Sequence, residues 1–382
     1  MTDRELREIK RRFRPDKSNI SRIVGCFVNT NKEILYRINQ PLGLEDSAVS
    51  EKLLSVMRKV LTGAQGTSIN SVDFSTKEVS EGAEHKLLMD MRASGLRDGD
   101  VLERFYRTVA ESLELDTNYS ILLAYDVYDV PERSSDGESV DSTKQFSYII
   151  CAVCPVKDAP EALTFREADS LFHASGAAGI LSSPEVGFMF PAFDSRATNI
   201  YGASYYTRSK STAYGDFTRR VFGHEPPMPP AHQKEAFADG LSEALSEECD
   251  LHLVRALHGV VGEMVEAHKE SKNPEPLTIT RHTVGEMLTS LGVEDEKVEK
   301  FGEAMDQSFG RGAAISPKNV ISHNRFELKM PEVKITVSPE YRDYVFTKEI
   351  GGEKYITIKV TGPVEINGIT VSLDKDVKMA ED

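Results

Sequence analysis

Cysteine is scarce in this chain of 382 residues, which has only Cys26, Cys151, Cys154 and Cys249. So few thiols make no disulfide framework, and a reduced, cytoplasmic state is the expectation. Long apolar runs are missing as well. The best, YIICAVCPV from Tyr148 to Val156, falls far short of the ~18 residues that a bilayer-spanning helix needs, so no membrane partner is expected. The opening residues, MTDRELREIKRRFRPDK, are charged from the third onward and lack the apolar stretch of a secretory signal, which again points to the cytoplasm.

Positive charge is also in deficit. Lys and Arg number 46 against 61 Asp and Glu, a net of -15, which favours solubility and opposes nonspecific attraction to phosphate polymers. The imbalance is uneven, however. Met1 to Arg22 carries eight Lys/Arg against four Asp/Glu, whereas Pro230 to Gly310 carries seven against seventeen. Within the basic segment, Arg11, Arg12, Arg14 and Lys17 are the nucleic-acid candidates, with Phe13 as a stacking group. Net charge weighs against that reading and favours cations that pair with the acidic helices, within the chain or between copies in a homo-oligomer.

Strong catalytic signatures are missing too. There is no HExxH, no second CxxC to complete a zinc ribbon, and no GxSxG around Ser204. SGAAGILSS, from Ser175 to Ser183, lacks the Lys-Ser/Thr ending of a phosphate loop and the third glycine of a dinucleotide turn. Cys151 and Cys154 lie in a strand-like run, where positions three apart face opposite ways, so they read as small buried apolar groups rather than a redox pair. Cys249, His252 and His258 lack an evident fourth ligand. No metal and no cofactor are expected, and whether the protein is an enzyme stays open.

What is present is a clear pattern of elements. A short basic helix, Asp3 to Phe13, is stopped by Pro15. The runs ISRIVGCFVN and KEILYRIN read as a hairpin, and helical periodicity follows in SAVSEKLLSVMRKVLTG, GAEHKLLMDMRAS and DGDVLERFYRTVAESLEL. YSILLAYDVYDV and FSYIICAVCPV read as adjacent strands, separated by the polar PERSSDGESVDSTKQ. VGFMFPAF and NIYGASYYT flank a five-residue DSRAT link, too short for a parallel crossover, so the pairing is antiparallel. Beyond HEPPMPPAHQ come two helices, a second helical pair, and β signals with turns at Gly351-Gly352 and Asn367-Gly368. The expected fold is α+β: a mostly antiparallel sheet with flanking helices over 1–223, an acidic helical domain over 224–312 and a small β domain over 313–382.

The DSRAT link poses the functional question, because it sets Asp194, Arg196, Thr198 and Asn199 between segments that look buried. Asp126 and Asp129 interrupt an apolar strand, and a separation of three turns one of them inward, where a carboxylate needs a partner such as Arg133, Arg196 or Arg208. Two readings follow. In the first, a non-enzymatic binding or adaptor protein presents Asp194, Arg196, Thr198, Asn199, Tyr201, Tyr205 and Tyr206 to a protein partner. In the second, an enzyme acts on a phosphorylated or anionic small molecule, with Asp126, Asp129 or Asp194 as acid or base and Arg196 as anion clamp. A third reading is RNA or ribosome association through the basic arm.

RRFRPDKSNISRIVGCFVN, YSILLAYDVYDVP, SYIICAVCPVK and VGFMFPAFDSRATNIYGASYYTR together resemble an uncharacterised bacterial family, domain of unknown function 4317. The resemblance runs over nearly the whole chain. It implies a bacterial cytosolic protein and brings with it no activity, cofactor or site residue.

Overall fold

Thr2 begins the first helix by taking the amide of Glu5, while the Glu5 carboxylate takes the amide of Thr2, a reciprocal cap that satisfies two otherwise orphan donors. Helix α1 (Asp3–Lys10) then tightens into a 3-10 turn over Arg11–Phe13 before the chain reaches Pro15. Leu6, Ile9 and Phe13, spaced by three and four, form one buried stripe. In the computed structural model, residues 1–372 are described except 44–46, 134–138, 160–162, 175–178, 272, 274, 323 and 324.

The chain divides into two units, one chiefly Met1–His232 and the other Gln233–Asn273 with the chain from Leu277 onward. The first is built on an eight-stranded sheet. Its strands include β1 (Arg22–Val28), β2 (Ile34–Pro41), β3 (Ile69–Asp73), β4 (Tyr119–Arg133) and β5 (Ser139–Asp158). A separate hairpin, β6 (Leu163–Arg166) and β7 (Leu171–Ala174), leads to β8 (Gly179–Leu181), which pairs with the end of β5. After β9 (Val186–Phe190) come β10 (Ala192–Asp194), β11 (Ala197–Asn199) and β12 (Gly202–Thr207). The sheet order is β2-β1-β4-β5-β9-β12-β3, antiparallel throughout, as the short links require. β3 has almost no sequence signal, since INSVD is half polar; it is a strand because β12 offers it an edge.

Alternation along β5 fills two cores. Ile149, Cys151 and Val153 face a layer made by α4 (Ala83–Ala93), α5 (Gly99–Ser112) and α6 (Gly215–Phe222), reached after α2 (Ser47–Lys59) and the short α3 (Thr76–Glu81). Tyr148, Ile150, Ala152 and Cys154 face the opposite layer, where α1 and α2 lie. The two cysteines therefore sit on opposite faces, as their spacing predicts, and burial pushes the Cys154 thiol up to about 12 and the Cys151 thiol up as well. Strands β5 and β9 approach so closely that a Cβ on Gly187 would lie 2.3 Å from the Cys151 carbonyl oxygen, which is why glycine stands there.

The second unit packs α7 (Pro230–Leu245), α8 (Leu251–Ser271), α9 (Arg281–Ser290), α10 (Asp295–Phe309) and α11 (Pro317–Val320) around Phe237, Leu257, Leu288 and Phe301. Three hairpins complete it: β13 (Phe326–Lys329) with β14 (Lys334–Val337), β15 (Val345–Ile350) with β16 (Glu353–Ile358), and β17 (Val364–Ile366) with β18 (Ile369–Val371). Gly351, Gly352, Asn367 and Gly368 all have positive φ, as two-residue turns between strands demand. The fold is α+β.

Candidate functional site

The DSRAT link is itself a hairpin. Asp194 pairs with Ala197, and Thr198 and Asn199 lie in β11, so only Ser195 and Arg196 form the tip. Both tip residues have positive φ, 50° and 57°, the geometry that a two-residue turn imposes and that side chains other than glycine adopt at a cost.

Helix α1 holds that geometry. Glu5 accepts the Arg196 amide at 3.1 Å, and the Arg196 guanidinium reaches Glu8 at 3.1 Å and the Pro131 carbonyl at 2.8 Å. Glu8 also accepts the Tyr128 hydroxyl at 2.8 Å. Burial, then the hydrogen bond and charge of Glu8, push that phenol up to about 12. The expected anion clamp is thus occupied by the protein's own carboxylate and carbonyl.

Asp126 is the aspartate that turns inward. Its side chain is fully buried, and Arg12 grips it with Nε at 3.0 Å and Nη2 at 3.3 Å, a bidentate fork. The Tyr148 hydroxyl donates to the same carboxylate at 3.0 Å, and the Arg12 guanidinium lies 5.2 Å from the centre of the Tyr128 ring. Burial, the largest single influence, would lower the Arg12 pKa; the hydrogen bond and charge of Asp126, with Tyr148 and Tyr128, together outweigh it and hold the guanidinium above its usual value.

Glu5, Glu8, Arg12, Asp126, Tyr128, Tyr148 and Arg196 therefore form one polar seam between α1 and the sheet. The charged partners of Asp126 and Arg196 came from α1 and the turn after it, and not from Arg133, whose side chain lies outside the described residues, or from Arg208, which pairs with Glu185. A signal existed in the sequence: Glu5 and Arg12 stand four before and three after Ile9, on the edge of the buried stripe.

The remaining expected residues are not gathered at one point. Asp129, three residues along β4 from Asp126, is exposed and accepts from Gln145 at 2.9 Å. Asp194 accepts from Asn199 at 3.4 Å. Tyr201 is exposed, but Tyr205 and Tyr206, expected on the rim, are buried on opposite faces of β12, the Tyr205 hydroxyl donating to the Ala213 carbonyl. Phe13, expected to stack on bases, is packed against Tyr148 in the core. Arg12 is likewise withdrawn from any phosphate, whereas Arg11, Arg14 and Lys17 are exposed, Arg14 lying 3.5 Å from Asp16.

In the second unit, the His258 ring is buried and its Nε2 meets the Arg325 carbonyl at 3.1 Å. Among the described residues, no group of three or more His, Cys, Asp or Glu could hold a metal ion. A cleft of about 970 Å³, which the sequence did not foretell, opens between α9 and α10; Arg281, on its wall, pairs with Glu299 and Asp306. Residues 175–178 of SGAAGILSS lie outside the described residues. No described helix is long and apolar enough to cross a membrane.

Residues 1–369 match a family model described as Domain of unknown function (DUF4317). No curated protein and no solved structure matches the chain.

Proposed function

The chain belongs to the DUF4317 family, and we propose that it acts by binding a protein partner, without catalysis, through the 192–199 hairpin and the neighbouring Tyr201. The observation that carries this reading is the state of Arg196, whose guanidinium and amide are both committed to α1 and β4. The charged groups of the hairpin fix its shape, and Ser195, Ala197 and Tyr201 are left exposed. A turn so held loses little conformational freedom on binding, which favours recognition. The same network argues against the enzyme reading, because Asp126 already takes two donors from Arg12 and one from Tyr148, while Asp129 faces the other way.

The test is a quantitative pull-down with three forms of the full chain: wild type, Thr198→Ala/Tyr201→Ala, and Tyr36→Ala, which alters an exposed tyrosine on the distant edge strand β2. A partner enriched by wild type and by Tyr36→Ala should fall at least tenfold with the double variant, whose circular dichroism stays unchanged. Equal recovery by all three forms would refute the assignment.

A further inference from the structure

The exposed side chains of α1, its following turn and α2 form a cationic surface whose source is two segments far apart in sequence. Leu6, Ile9 and Phe13 turn inward with Leu54 and Met57 of α2, in one core cluster. That leaves Arg4, Arg7, Arg11 and Arg14 on the outside, with Arg58 at the C-terminal end of α2. The turn after α1 packs on α2 and brings the two sets together. Lys10 reports the crowding: burial lowers its pKa, and although Asp3 opposes the shift, the charges of Arg58 and Arg7 add to it. Among the described residues, no carboxylate is within ion-pair distance of Arg7, Arg11 or Arg58.

We infer that this surface binds the phosphate backbone of a single-stranded or duplex nucleic acid without reading its bases. The prevalence of arginine fits phosphate, whose oxygens match the guanidinium fork. The burial of Phe13 removes the stacking group that base recognition would use. The scaffold is rigid, because Arg12 on Asp126 and Glu8 on Arg196 pin α1 to the sheet and hold the outer arginines in place.

Two other polyanions fit less well. A membrane surface would call for apolar side chains beside the cations, and those of α1 are in the core. The acidic helices of a second copy have part of their charge already paired within the chain, Glu299 and Asp306 with Arg281, Glu248 with Lys297, Glu296 with Lys300 and Glu266 with Lys269. The net charge of -15 is a weak objection, because charges more than about 8 Å from the contact are largely screened at physiological salt.

Fluorescence anisotropy of the full chain with labelled mixed-sequence RNA and DNA, from about 50 to about 300 mM salt, tests the inference. Binding should be independent of sequence, and log affinity should fall linearly with log salt. Arg7→Glu/Arg11→Glu/Arg58→Glu should weaken it at least tenfold and flatten the salt slope by about 2 to 3. The control Lys348→Glu, on an exposed strand of the second unit, should change neither. Matching urea transitions exclude unfolding of the variants as the cause. No binding at the lowest salt, or binding indifferent to the triple reversal, would overturn the inference. So would sedimentation showing that the same arginines instead drive salt-sensitive self-association of the chain without nucleic acid.

Discussion

Arg12 and Asp126 belong to the residue scale, where the sign of an effect depends on which partner is removed. A carboxylate with no exposure is tolerated only because a guanidinium and a phenol neutralise and bond it. Arg12→Met leaves that carboxylate stranded and should cost about 3–5 kcal/mol of stability. Arg12→Met/Asp126→Leu removes both charges, so its cost should be clearly below that of Arg12→Met alone. Urea unfolding of the wild type and both variants gives the comparison, and a double variant less stable than Arg12→Met would contradict the account. An inward aspartate was legible in AYDVYDV, because strand alternation alone sends one of two acids three apart into the core. Its partner was not, since 114 residues separate Arg12 from Asp126 and only the docking of α1 joins them.

At the scale of elements, the 192–199 hairpin is strained locally and restrained from outside. Ser195 is exposed, so its positive φ has no side-chain contact that glycine would lose. Ser195→Gly should therefore raise stability by about 0.5 to 1 kcal/mol, the relief of a left-handed backbone less the added freedom of the unfolded chain. Arg196→Gly should lower it, because the same relief comes with the loss of the Glu8 and Pro131 contacts. Thermal melts of the two variants should shift in opposite directions; shifts of the same sign would mean that α1 does not restrain the turn. DSRAT looked like a plain loop because its two strands have three residues each, too few for alternation to register. The antiparallel pairing of β9 with β12 around it was legible for a simpler reason, the length of the link.

At the scale of the whole molecule, neutral acids in the two core layers and at the edge of one make stability depend on alkaline pH. Burial raises Cys26 and Cys154 to about 12, and Tyr128 rises to about 12 through burial and Glu8. In the unfolded chain thiols ionise near 9.0 and phenols near 10.0. Between those values and about 12 the unfolded chain has lost protons that the fold retains, so the unfolded state gains on the native one as pH rises. Stability should be insensitive to these groups below about pH 9 and decline from there upward. Urea midpoints at about pH 8 and about pH 10.5 should differ in that direction, and equal midpoints would show that the buried groups do not ionise on unfolding.

The sequence by itself determined the α+β class, the antiparallel pairings forced by short links, the opposite facing of Cys151 and Cys154, and the helical periodicity of the segments that form α2, α4 and α5. All of these follow from local geometry, the strand period of two, the helix period of 3.6 and the reach of a short connection. Tertiary structure alone decided that α1 and the turn after it would supply the counter-charges of Asp126 and Arg196, that Tyr205 would be core and Tyr201 surface, and that Arg58 would join the arginines of that segment. Those outcomes turn on which surfaces meet when layers pack, and the energy of each contact is set by groups that no local pattern brings together.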